Sequence, residues 1–128
     1  MTSTEFLDSN VIVYAFTTNP KKEKCRKALL ELNLLTNSLV IAESISQIAT
    51  ITDKEQSKQA LTTILKLGNI RILDLDSGMI FEAIRRNQKY HLKLFDLIHY
   101  VSALTNNCQS MLSFDKDFDN LELPRREP

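Results

Sequence analysis

Short apolar, β-branched runs alternate along this chain with longer segments of helical period, and that alternation narrows the possible folds more than any other feature. Residues 6–14 read as a buried strand interrupted by one charge, Asp8. After the break at Pro20, Cys25, Ala28, Leu29 and Leu32 recur at helical spacing from Lys21 to about Asn33. "LLTNS" allows a very short second strand, with Asn37 or Ser38 capping a helix over roughly 39–50. In that helix Ile41, Ile45 and Ile48 form the apolar stripe. Glu43 lies about 200° from Ile41 and Ile45 and faces away with Ser46 and Gln47. A third helix is expected from Asp53 to Leu67, closed by Gly68. "IRILDL" (70–75) reads as a strand, and "DSGMIFEAIRRNQKYH" as a helix with Ile80, Ala83, Ile84 and Asn87 on one face. "LFDLIHYVSALTNN" carries a core stripe of Leu94, Leu97, Ile98, Val101 and Leu104. "SMLSFD" (110–115) is a further strand, and "LEL" before Pro124 a short edge strand. Strands that alternate with helices imply a parallel sheet covered on both faces. With no repeat, linker or composition shift, residues 1–128 are expected to form one α/β domain.

Sixteen basic and sixteen acidic residues cancel, so a nucleic-acid role must rest on local charge rather than on net charge. The two cysteines, Cys25 and Cys108, are far apart, and with the two histidines they lack zinc-site spacing. The absence of an apolar signal stretch points to a reduced, cytoplasmic, soluble protein. No run approaches the ~18–20 apolar residues of a membrane span.

Ligands of open α/β sheets bind beyond the carboxyl ends of the strands. Asp8 and Asp115 belong to two such strand ends, Asp96 opens the long helix that feeds the last strand, and Glu43 lies on the polar side of its own helix. The topology can bring these four acids to one rim. Unaccompanied by lysine or arginine they would repel one another, and some would hold a proton. A divalent cation removes the conflict. All-oxygen ligands suit Mg²⁺ or Mn²⁺, which can activate a water and stabilise the leaving oxygen in phosphodiester cleavage. Asp8 is then tolerated among apolar neighbours because a metal partners it.

"FLDSNVIVYAF", "LVIAESISQI", "LFDLIHYVSAL" and "MLSFDKDF", in that order and at these separations, resemble the four acidic blocks of PIN-domain ribonucleases. They are most similar to the VapC-type toxins of toxin–antitoxin pairs, and the likeness covers nearly the whole chain. The resemblance implies an α/β/α sandwich with a mostly parallel sheet of about five strands and Mg²⁺- or Mn²⁺-dependent endoribonuclease activity. It further implies a homodimer and a cognate antitoxin. Carried across by position, Asp8, Glu43, Asp96 and Asp115 match the four metal-binding acids. Asn10 matches the polar residue that follows the first acid by two, and Ser113 the small hydroxyl residue before the last. Asp117 and Asp119 crowd the same loop, so Asp115 and Asp117 both stand for the fourth place. His99 replaces a small or apolar residue of the family pattern, and the tail "LPRREP" is short for a final strand.

Each feature also has an ordinary reading. Asp8 can be a cap, Glu43 a solvated helix residue, Asp96 a first-turn acid and "FDKDFDN" a polar turn. A histidine on a mostly apolar helix is more often structural than catalytic. The basic segments 21–27 and 85–93 suit RNA phosphates or a solvated helix face with i,i+3 and i,i+4 pairs. Among functions, the rival is a catalytically silent PIN-like module that binds RNA or protein. A receiver-like domain needs a second acid beside Asp8 and a lysine after a later strand, and neither is in place. A flap-type DNA nuclease needs more chain than 128 residues provide.

Overall fold

The computed structural model describes residues 3–128. Five strands form one sheet in the order β3-β2-β1-β4-β5, and every neighbouring pair is parallel. They are β1 (Glu5–Leu7), β2 (Leu34–Asn37), β3 (Ile70–Leu73), β4 (Ser110–Leu112) and β5 (Arg125–Arg126). The chain moves outward in one direction from β1 to β2 to β3, then crosses back to place β4 on the other side of β1. Right-handed crossovers therefore put the helices between β1 and β3 on one face and those between β3 and β4 on the other. The first group is α1 (Ser9–Ala15), α2 (Lys22–Glu31), α3 (Ser38–Ile51) and α4 (Lys54–Lys66); α1 packs on α2 and α3, and α3 on α4. The second is α5 (Ser77–Arg85), α6 (Asn87–Tyr90) and α7 (Leu94–Thr105), with α7 lying on α5 and touching β2 and β4. The result is the expected α/β/α sandwich.

The first strand is shorter than the sequence suggests. β1 stops at Leu7, and residues 9–15 form a helix rather than the continuation of a strand over 6–14. Asp8 is the N-cap, in extended conformation, accepting the Ser9 N–H at 2.8 Å. Val11, Ile12, Val13 and Ala15 are all buried, so α1 is wrapped on most sides and shows no amphipathic period to read.

Further details differ from expectation. On α3 the buried stripe is Val40, Ser44 and Ile48, with Ile41 and Ile45 only partly covered; this rotation moves Glu43 from the outer side to the flank of the buried face. Gly68 does not close α4 through a left-handed turn, since no glycine has positive φ and Leu67 ends the helix in extended backbone. The edge strand lies after Pro124, at Arg125–Arg126, and not in "LEL". A proline cannot donate to a ladder, but its carbonyl accepts from Met111 N–H, and pairing begins there. Ile80, Ile84 and Leu94, expected in the core, are 37, 53 and 47% exposed, and Asn87 starts the separate helix α6. On α7 burial runs without a break from Leu97 to Ala103, so Tyr100 and Ala103 are as enclosed as the expected stripe.

Arg126 reaches back across β4 to Glu5 of β1, with two hydrogen bonds of 2.6 and 2.7 Å. Those bonds hold the buried Glu5 carboxyl below the usual carboxylate range. The two-residue edge strand is thereby tied to the centre of the sheet.

Candidate metal centre at the carboxyl edge of the sheet

The strand order reverses between β1 and β4, and the carboxyl ends of these two strands open onto the crevice such a reversal creates. Asp8 follows β1 directly. Ser113, Asp115 and Asp117 follow β4, Asp115 capping the 3-10 turn Lys116–Phe118. Because α7 runs into the start of β4, its first turn, with Asp96, lies at the same edge.

Ser113 is fully buried and joins the two strand ends. Its hydroxyl donates to Asp8 Oδ2 at 2.6 Å and accepts from Asn10 Nδ2 at 3.2 Å and from the Asp115 N–H at 3.0 Å. Asn10 completes the tie, since its Oδ1 accepts the Phe114 N–H and its Nδ2 reaches Asp8 Oδ2 at 3.3 Å. Behind the loop, Arg125 donates to the Ser113 carbonyl and to Asp119. Asp119 is therefore a loop fastener, set apart from the other acids by its guanidinium partner.

Asp96, Asp115 and Asp117 each offer a carboxylate oxygen within 4.8 Å of the others. Among the described residues none of the three forms an ion pair with lysine or arginine. The cost of that crowding is visible at Asp96. Burial, then the charges of Asp115 and Asp8, push its carboxyl up to about 6. Asp8, 4% exposed, is raised chiefly by burial, against the pull of the Ser113 hydroxyl.

The structure thus gathers Asp8, Asn10, Asp96, Ser113, Asp115 and Asp117 at one edge. Asp115 and Asp117 both belong to the cluster. Glu43 stands outside it and instead receives the ring nitrogen Nε2 of His99 at 2.8 Å. His99, 1% exposed, has the structural surroundings that its place on an apolar helix suggests. Its link to Glu43, and the second one to Asn37, were not apparent in the sequence; an asparagine at a strand end and a histidine on a buried helix face were the available signals.

The donor set fits a hard divalent cation, all of it carboxylate oxygen and electrostatically strained without a positive partner. Asp96, Asp115 and Asp117 are placed to hold one, with Asp8 beneath them.

The basic segments divide. Arg85 and Arg86 pair with Glu82, and Lys89 with Glu122, so much of the charge in residues 85–93 is met by its own carboxylates. Lys21 and Lys24 instead stand 4.4 and 5.7 Å over the ring of Phe114, next to Asp115.

Two comparisons give matches. The family model of the PIN domain matches residues 6–123. Among solved structures, the chain is similar to Mycobacterium tuberculosis VapC20, described as a sarcin-ricin loop cleaving toxin, with 14% identity, a TM-score of 0.81, and 98% of this chain and 100% of that one covered. It is also similar to a toxin–antitoxin complex from Klebsiella pneumoniae (16% identity, TM-score 0.71, 92% of each chain). A third is VapBC2 from Rickettsia felis bound to a promoter DNA fragment (19% identity, TM-score 0.69, 97% of this chain and 98% of that one). No curated protein matches the sequence. A family match spanning nearly all of residues 3–128, together with an all-parallel five-stranded sheet and acids at its switch point, makes this chain a member of the PIN domain family.

Proposed function

We propose that this protein is a divalent-metal-dependent endoribonuclease and the toxin of a toxin–antitoxin pair. The observation that carries the reading is the cluster of Asp96, Asp115 and Asp117, three carboxylates within 4.8 Å and without a basic partner among the described residues. Asp8, whose charge acts on Asp96, and Glu43 complete the proposed set of acids. A bound Mg²⁺ or Mn²⁺ would supply an activated water and stabilise charge developing on the phosphodiester. The protein's part is to present oxygen ligands and keep them fixed. Ser113 and Asn10 hold Asp8 and the 113–117 loop in register, so the acids need not reorganise during reaction. Asp96, raised to about 6 by burial and the charges of Asp115 and Asp8, is the acid that gains most from a cation at this edge. Lys21, Lys24 and Phe114 border the cluster with positive charge and an aromatic face, chemistry suited to single-stranded RNA.

Phe81, Ile84, Leu94 and Phe95 are 68, 53, 47 and 51% exposed, and such apolar side chains on neighbouring helices support protein partners, a second copy and an antitoxin. Among the described residues no helix is long and apolar enough to cross a membrane.

Cleavage of a mixed RNA pool with Mg²⁺, with Mn²⁺ and with EDTA, beside Asp96→Asn, tests the reading. Cutting should require the metal and disappear in the variant. Folded, inhibitor-free protein that binds RNA in every buffer and cuts in none would identify a silent binding module.

A further inference from the structure

His99 is enclosed in the middle of α7, its ring stacked at 6.0 Å on that of Phe6, yet both ring nitrogens have polar partners. Nε2 lies 2.8 Å from Glu43 Oε1, and Nδ1 lies 3.1 Å from Asn37 Nδ2. The second contact sets the direction of the first. Asn37 commits its Oδ1 to the Val40 N–H as the cap of α3. It therefore meets the ring with an amide nitrogen, which can only donate. The same nitrogen donates to Ser102 Oγ, whose own proton goes to the Ile98 carbonyl. Nδ1 must accept, the ring proton resides on Nε2, and Nε2–H donates to Glu43.

We propose that His99 is a positioning residue which, through this Asn37-dictated tautomer, anchors Glu43 Oε1 and leaves Oε2 directed to a cation. The proposal rests on the reading of the acids as a metal centre and assigns to that centre a buried support from α7 and β2. A glutamate on a helix flank otherwise samples several rotamers; the anchor removes that freedom before a cation arrives. His99 follows Asp96 by one turn of α7, and α3 starts at the carboxyl end of β2, beside the strand that delivers Asp8, so the anchored acid borders the same edge.

Nitrogen NMR of histidine-labelled protein, first in EDTA and then with Mg²⁺, should show His99 as the neutral Nε2–H tautomer, with a resonance that moves on Mg²⁺ addition. Calorimetric titration with Mn²⁺ should show binding weakened about 10–100-fold by His99→Phe and by Glu43→Gln. His99→Gln, which keeps an N–H donor, should stay near wild type. An Nδ1–H tautomer, a resonance indifferent to Mg²⁺, or unchanged Mn²⁺ affinity in folded His99→Phe or in Glu43→Gln overturns the proposal while the reading of the acids stands. If the phenylalanine variant fails to fold, the NMR titration of the unaltered protein decides alone. Absence of Mn²⁺ binding in the wild type overturns that reading, and the proposal with it.

Discussion

Asp96 shows how a single side chain reports the purpose of its surroundings. Its carboxyl is raised from an ordinary 3.8 to about 6, so the protonated form is the one the fold favours. The stabilisation this gives is complete below the ordinary value and is lost as pH rises through about 6. Partial exposure reduces the cost of ionising it to about 1 kcal/mol. In EDTA, Asp96→Asn should therefore melt about 4 °C above wild type near neutral pH, the gap closing in acid. Saturating Mg²⁺ should raise the wild type and not the variant. Melting curves by circular dichroism across pH, with and without metal, check both. Ser113→Ala is expected to act differently. It leaves Asp8, Asn10 and the Asp115 N–H without their shared hydroxyl, at a cost of about 2–3 kcal/mol in urea denaturation.

At the scale of elements, helix starts separate local from shared roles. Asp53 caps α4 through Gln56 alone, in an exposed position, so Asp53→Ala should cost about 1 kcal/mol and leave metal affinity unchanged. Asn37 caps α3 and also holds His99 and Ser102 from a fully buried site, so Asn37→Ala should cost about 3 kcal/mol or more in the same denaturation assay. The sequence is readable wherever an element has one dry and one wet face, as α2 and α4 do. It misleads where an element is enclosed. "VIVYA" looks like a strand because all its sides are apolar, and only the cap residue Asp8 marks it as a helix. For the same reason the acids could be named from their blocks, while the Glu43–His99–Asn37 chain could not. Hydrogen bonds between residues 56 and 62 positions apart leave no periodic trace.

For the whole molecule, both cysteines are free and buried, and burial pushes each thiol up to about 11. Iodoacetamide near neutral pH should leave Cys25 and Cys108 unmodified in the native protein and label both after denaturation, as mass spectrometry would show. The Ser113 hydroxyl joins distant parts of the chain. It bonds to Asp8 across 105 residues, and the strands that precede them pair directly although two other strands and seven helices intervene in the chain. Contacts this distant are costly to close, because the freedom of the long intervening chain is lost in making them. A chain still emerging from the ribosome, or one folded only as far as β3, carries Asp8 and Glu43 but lacks α7 and β4, which bring Asp96, Asp115 and Asp117 together. The three-acid cluster is thus assembled by the last crossover rather than accumulated along the way, and a partly made molecule holds none of that geometry.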